Sequence, residues 1–174
     1  MKKFICLGPI RLFAATVFLL MGGILHAQDR SKDEASINKQ VDAMIYSWNN
    51  HNYDDLKNYT TENTDWVNGV GMWWKGQKEY QYAHQAYHNT MFKESIMEKK
   101  SVVIRFVTKD VAIAHLVCHL SGTMIHEGKK DDPEDILETL VYVKVNGEWL
   151  VTAGVVVPIV KEVQQYDPVK QMPK

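Results

Sequence analysis

The sequence lacks most of the motifs that mark well-known enzyme classes. It has no Ser/His/Asp order, no glycine-rich phosphate loop, no CxxC pair and no HExxH motif. Basic runs are absent as well, since 20 basic residues are spread among 21 acidic ones. These absences argue against nucleic acid or an anionic membrane surface as a partner, and they leave any catalysis without a sharp signature.

Cysteine is nearly absent, with Cys6 and Cys118 as the two examples. Cys6 falls in an N-terminal segment that we expect to be removed, so no disulfide within the mature chain is expected. Cys118 stands in the apolar run VAIAHLVCHLSGTMI, where a cysteine typically behaves as a small buried hydrophobe.

The N-terminus has the pattern of an export signal. Lys2, Lys3 and Arg11 supply positive charge, the apolar run 12–25 is too short to span a membrane comfortably, and Ala27 offers a cleavage position. We expect a periplasmic or secreted protein after cleavage near Ala27, with no membrane contact; an uncleaved anchor is the alternative. Residues 28–174 would then carry 17 basic and 21 acidic residues, a net charge of −4.

The first half of the mature chain reads as helical with a short strand pair. Apolar residues at helical spacing follow the capping-box sequence 31–34 and predict a helix to about Asn49. A short second helix begins at Tyr53, strand candidates cover 64–68 and 72–75, and a third helix covers 78–92.

The second half reads as a meander of long strands. The predicted strands are 101–108, 111–125, 136–145 and 148–158, and Asn146-Gly147 is a strong hairpin signal. The charged loop 126–135 interrupts the run, and residues 159–174 form a C-terminal tail. Three helices on a strongly curved, mostly antiparallel sheet give one α+β domain over residues 28–158.

These strands carry apolar residues on both faces. In the second strand, Val111, Ile113 and Val117 point one way, while Ala112 and Leu116 point the other. Helices can cover one face, and a second subunit is the simplest cover for the other, so we expect a homodimer through the sheet. A sheet buried by its own loops is the alternative.

Four segments resemble a known family. Residues 48–56 (WNNHNYDDL), 64–76 (TDWVNGVGMWWKG), 92–95 (FKES) and 139–149 (TLVYVKVNGEW) are similar to the SnoaL-like and SgcJ/EcaC-type domains of the nuclear transport factor 2-like superfamily, which includes ketosteroid isomerase. The resemblance implies a cone-shaped fold with a pocket at its wide end for a small apolar molecule, and dimers through the sheet.

The enzymes of that family imply a carboxylate and a hydrogen-bond donor in the pocket, and the chain departs from their pattern. Asn68 falls near the position of the isomerase base, Met44 near the tyrosine and Val141 near the second aspartate. Trp48 falls near the helical tyrosine of scytalone dehydratase. The last strand carries Gly154 and valines where many relatives have polar residues.

His84 and Asp65 are the candidate catalytic residues. An imidazole among aromatic side chains can have its pKa tuned by burial, and Asp65 is the carboxylate in the helix-to-strand region suited to act as a base. A polar lining residue and a strand-edge residue are the respective alternatives. We expect further residues to line the pocket: Trp48, Trp66, Trp73, Tyr80, Tyr87, His88, His115 and His119.

Metal binding is not expected, although His84/His88 and His115/His119 are each four residues apart, because no carboxylate accompanies them at fixed spacing. No cofactor is expected either. Glu138 and Arg105 are predicted to pair across the sheet.

The sequence therefore favours an exported domain that holds a small, largely apolar molecule, with acid/base turnover left open. The alternative is a non-catalytic dimerisation or assembly domain of the cell envelope. A cavity of several hundred Å³ would favour the first reading, and a closed core the second.

Overall fold

The structure of the chain is a computed structural model that describes residues 10–124, 129 and 131–173, with side chains from residue 30 onward. The charged start of the predicted export signal lies outside this part, as does the side chain of Ala27. Residue 125 at the end of the predicted second long strand, and residues 126–128 and 130 of the charged loop, also lie outside it. Within the described part, no helix combines the length and the apolar character needed to cross a membrane.

Helix α1 spans Ile10–Asn49. Its described residues up to Ser36 belong to a unit separate from the main domain, which begins at Ile37. Ser31 lies inside the helix, so the predicted start at the capping box is wrong; no proline or glycine between residues 28 and 36 interrupts the helix. In the main domain, Ile37, Val41 and Met44 form the buried stripe that the spacing predicted.

The predicted second helix is a single 3-10 turn, Leu56–Asn58. Its apolar residues are buried as expected, because Tyr53, Leu56 and Tyr59 all belong to the core. The Oδ1 atom of Asn52 accepts the N–H of Asp54 at 2.8 Å, and strand β1 already begins at Thr60. The segment is therefore too short for a full helix.

The remaining elements follow in the predicted order. Strands β1 (Thr60–Val67) and β2 (Trp73–Lys75) precede helix α2 (Gly76–His88). Four long strands then complete the sheet: β3 (Ile96–Phe106), β4 (Val111–Ser121), β5 (Glu134–Val145) and β6 (Glu148–Pro158).

In the described residues the sheet has six strands in the order β2-β1-β6-β5-β4-β3. Neighbours are antiparallel except β1 and β6, which run parallel, so the domain is α+β with a mixed sheet. The hairpin between β5 and β6 is confirmed. Asn146 and Gly147 both have positive φ, 52° and 87°, as a two-residue turn of this kind requires.

The two faces of the sheet differ in burial. Ala112, Ala114, Leu116 and Leu120 of β4 are buried against the core, and we call this side the inner face. Val111, Ile113 and Val117 on the outer face are only half-buried. After β6, a short helix α3 (Lys161–Gln164) follows, and Lys161 Nζ contacts Asp135 Oδ2 at 2.8 Å.

Candidate functional site

A cavity of about 510 Å³ lies on the inner face of the sheet. This volume is within the range of sites for small molecules. Residues from α1, α2 and all six strands form its wall, and most of them are aromatic or aliphatic. The wall includes Met44, Trp48, Trp66, Trp74, Leu116 and Ile136.

The exposed carboxyl groups of Asp131 and Glu134 also line the cavity, but Glu138 is the buried one. It lies on β5 between Leu116 of β4 and Val156 of β6, and its exposure is 3%. Its Oε2 atom has no hydrogen-bond partner among the described residues. Burial raises the pKa of Glu138 to about 7, because the charged form loses its hydration in the cavity wall.

His84 projects from α2 into the same cavity wall and is also buried. Its Nδ1 lies 3.1 Å from the carbonyl oxygen of Tyr80, which can only accept, so Nδ1 carries the proton. Burial lowers the pKa of His84 to about 3. The ring is therefore neutral at ordinary pH, with Nε2 as an acceptor.

Two buried tyrosines, Tyr53 and Tyr80, line the same cavity as Glu138. Burial raises the pKa of Tyr53 and of Tyr80 well above its ordinary value, with neighbouring tyrosines and Glu138 contributing to each. Both hydroxyls stay protonated at ordinary pH and can donate hydrogen bonds. Trp66 stacks on Tyr80 with ring centroids 4.7 Å apart, which fixes the aromatic side of the wall.

The predicted lining residues Trp48, Trp66, Tyr80 and Tyr87 lie in the cavity wall. Trp73 does not, because side chains alternate along β2: Trp74 takes the wall position and packs edge-on against His84 at 5.1 Å. Trp73 is 56% exposed, with Lys75 Nζ 4.4 Å from its ring centroid.

Asp65 lies outside the cavity wall. It precedes Trp66 on β1 and therefore points to the opposite face of the strand, in register with Ala153 of β6. The structure thus places the two catalytic candidates, His84 and Asp65, on opposite sides of the sheet and does not bring them together.

Three of the predicted lining histidines lie elsewhere. His115 and His119 alternate with Leu116 and Leu120 on β4 and so belong to the outer face. His119 Nδ1 contacts Asp135 Oδ1 at 2.7 Å. His88 is buried behind Trp48, with the two rings 4.6 Å apart.

The predicted pairing of Glu138 with Arg105 is wrong. Arg105 lies opposite Ile113 on the exposed outer face, whereas Glu138 faces the core and is separated from β3 by β4. The chain did carry a signal for Glu138. It is the charged residue among the inward positions Ile136, Leu140 and Tyr142 of β5, and a charge on an apolar face marks a functional candidate.

The residues at the isomerase-like positions have other roles. Asn68 lies at the cavity wall, but its Oδ1 accepts the N–H groups of Val70 and Met72 at 3.1 and 2.8 Å and so closes a turn. Met44 contributes apolar surface to the wall. Throughout the part of the chain with described side chains, no three His, Cys, Asp or Glu residues are grouped as metal ligands.

Comparison with known proteins identifies the fold. No protein-family model matches the chain, and no curated protein matches it. An uncharacterised protein with a cystatin-like fold from Caulobacter vibrioides superposes with a TM-score of 0.75 and 24% identity, over 80% of this chain and 98% of that one.

Two further solved structures are similar at lower identity. A hexachlorocyclohexane dehydrochlorinase from Novosphingobium barchaimii has a TM-score of 0.64 and 14% identity, covering 78% of this chain and 95% of that one. A nuclear transport factor 2-like protein of unknown function from Pseudomonas putida has a TM-score of 0.62 and 15% identity, covering 77% and 92%. The chain therefore has the nuclear transport factor 2-like, cystatin-like fold that the four segments implied.

Proposed function

We propose that the domain binds one small, largely apolar molecule in the cavity and exchanges a proton with it through Glu138. One observation carries this proposal: the Oε2 atom of Glu138 is buried in an apolar wall without a hydrogen-bond partner among the described residues. An unpaired buried carboxyl oxygen is costly, and a ligand that donates a hydrogen bond to it would remove that cost.

The cavity volume supports binding over a closed assembly core. A space of about 510 Å³ would leave its lining without contacts if nothing filled it. The aromatic wall suits a ring or a short hydrocarbon, and Glu138 suits a hydroxyl, an amine or an acidic C–H on it.

Glu138 is better suited than His84 to move a proton. A carboxyl with a pKa of about 7 is present in both forms at neutral pH, so it can accept a proton from the ligand and return it. His84, with a pKa of about 3, stays neutral and serves as a fixed acceptor that orients the ligand. The proton leaves the ligand, resides on the Glu138 carboxyl, and returns to the ligand or passes to solvent.

The similar structures support this class of ligand. The dehydrochlorinase from Novosphingobium barchaimii is named for hexachlorocyclohexane, which is a small apolar molecule. We extend to this chain only the class of ligand, a small apolar compound. The N-terminal pattern adds the proposal that this binding takes place after export.

Self-assembly through the outer face is a second role that one observation favours. Val103, His115, Thr139 and Val155 stand in register across β3 to β6, and Val103 is 64% exposed. A homodimer would cover this row. Such a dimer is compatible with a cavity on the inner face, so the two roles can coexist.

Native mass spectrometry with a series of 4-alkylphenols, from methyl to octyl, tests the binding proposal. We expect one molecule per chain, with affinity that rises by about 0.8 kcal/mol for each methylene buried and then falls once the cavity is full. Binding of none of the series, or of several molecules per chain with no size limit, would overturn the proposal.

A further inference from the structure

A chain of three hydrogen-bonding side chains leads from the cavity wall toward the surface. The hydroxyl of Tyr53 lies 3.3 Å from Nε2 of His88, and Nδ1 of His88 lies 2.9 Å from Nδ1 of His51. The ring of Tyr53 belongs to the cavity wall, His88 is buried, and His51 is half-buried. We infer that Tyr53, His88 and His51 form a proton route between the cavity and solvent.

The geometry allows the protons to move in sequence. With His88 neutral, the hydroxyl of Tyr53 donates to Nε2, and the Nδ1–H of His88 donates to the free Nδ1 of His51. When the oxygen of Tyr53 takes a proton from the cavity, its own proton passes to His88 Nε2. The Nδ1 proton of His88 then passes to His51, and the Nε2 proton of His51 passes to water. One proton leaves the cavity and one reaches solvent. Both histidines then carry the other tautomer and each hydrogen bond has its donor and acceptor exchanged, and a transfer in the opposite direction restores the starting state.

The surroundings favour a concerted transfer. Burial, followed by the charge of His51, lowers the pKa of His88 to about 4, so an isolated imidazolium is disfavoured at this position. Burial likewise disfavours a tyrosinate at position 53, because it raises the pKa of Tyr53. The charge of His88 in turn contributes to lowering the pKa of His84. Neither charged intermediate needs to form if the protons shift together.

The backbone holds the route in place. His51 has a φ of 52°, a left-handed conformation that residues other than glycine seldom adopt and that is found mainly where the surrounding structure enforces it. Gln85 of α2 enforces it here. Its Nε2 donates to the carbonyl oxygen of His51 at 3.0 Å, and its Oε1 accepts the N–H of Tyr53 at 3.2 Å.

The inference rests on the proposed function, because a proton route has a role where the cavity exchanges protons. Its test needs no ligand, so the two can fail separately. In protein labelled with ¹⁵N-histidine, NMR measures how fast the His88 ring proton and the Tyr53 hydroxyl proton exchange with water. The variant Tyr53→Phe assigns the hydroxyl signal.

The informative variant is His51→Asn. Asparagine tolerates the left-handed backbone and places an amide near the position of Nδ1, but an amide does not pass the proton on. We expect both protons to exchange at least about tenfold more slowly in this variant, because exchange then requires local opening. His115→Asn on the outer face is the matched control and should change neither rate.

Each other outcome overturns the route. Unchanged or faster exchange in His51→Asn would show that water reaches His88 directly. Slower exchange of the His88 proton alone would show that the route ends before the cavity. A parallel slowing of the exchange of the α2 backbone amides would assign the effect to a general loss of local opening rather than to the route.

Discussion

Trp66 lies directly over Gly154, its partner in the parallel pairing of β1 with β6. A Cβ atom at position 154 would collide with the six-membered ring of Trp66 and approach Leu140 Cδ2 to 3.2 Å. Trp66 in turn stacks on Tyr80 in the cavity wall. The glycine therefore sets the position of the aromatic wall, which explains why a polar or branched residue is absent here.

Gly154→Ala is expected to destabilise the domain by about 1–3 kcal/mol, because the rigid indole must shift in a packed core. Urea unfolding followed by circular dichroism measures the change. Gly69→Ala is the matched control, since a Cβ there would meet Pro158 Cδ at 3.9 Å, an ordinary van der Waals contact. Equal effects of the two substitutions would contradict the role of Gly154.

Glu138→Gln should change how stability depends on pH. The folded-state pKa of Glu138, about 7, lies above the ordinary value of 4.5, so the folded protein binds more protons between these values. The stability of the wild type should therefore fall as pH rises through this window. Glutamine does not titrate. The free energy of unfolding of the variant, relative to that of the wild type, should therefore increase by on the order of 2–3 kcal/mol between pH 5 and pH 8. If the difference in the free energy of unfolding between the variant and the wild type were the same at pH 5 and pH 8, Glu138 would not be buried as described.

His84→Gln should act in the opposite direction. The folded-state pKa of His84, about 3, lies below the ordinary value of 6.5, so the unfolded chain binds the extra proton in this window. The free energy of unfolding of the wild type should therefore decrease as the pH falls below 6.5. Between pH 7 and pH 5, the free energy of unfolding of the variant should decrease by about 2 kcal/mol less than that of the wild type. Chemical unfolding at both pH values measures this, and parallel curves for the two proteins would contradict it.

Val103→Asp tests the proposed dimer. A buried charge in the outer-face row should prevent a second copy from covering it, so the variant should sediment as a monomer where the wild type is a dimer. Tyr82→Asp, at a residue of α2 that is 79% exposed, is the control and should leave the dimer intact. A wild-type monomer, or a dimer that survives Val103→Asp, would remove the outer face as the interface.

Local signals predicted much of the fold. The bounds of β6, Glu148–Pro158, are as predicted, and the Asn146-Gly147 turn follows from dihedral preferences that depend on two residues alone. The order of the elements followed from apolar periodicity in the same way. The prediction of a second helix was wrong because the length of this segment depends on where β1 begins, and tertiary contacts determine that position.

The site was less accessible from the sequence. Trp73 and Trp74 could not be distinguished, because a three-residue strand gives no alternation from which to read a face. An ion pair between Glu138 and Arg105 was predicted from their opposite charges alone, without the register of the strands. In the structure β4 separates the two residues. Alternation along β4 puts His115 and His119 on the same face of the strand as Val117, opposite to Leu116. The sequence alone could therefore have excluded both histidines from the cavity wall.

Glu138 is proposed to recognise a hydrogen-bond donor inside an apolar cavity. The most direct measurement compares 4-butylphenol with 4-butyltoluene, which differ by a hydroxyl in place of a methyl group, in the wild type and in Glu138→Leu. Tryptophan fluorescence reports binding, because Trp48, Trp66 and Trp74 lie in the wall. We predict that the ratio of the two dissociation constants favours the phenol by about tenfold or more in the wild type relative to the variant, as expected for a hydrogen bond to a charged or ionisable group. An equal ratio in both proteins would contradict the account.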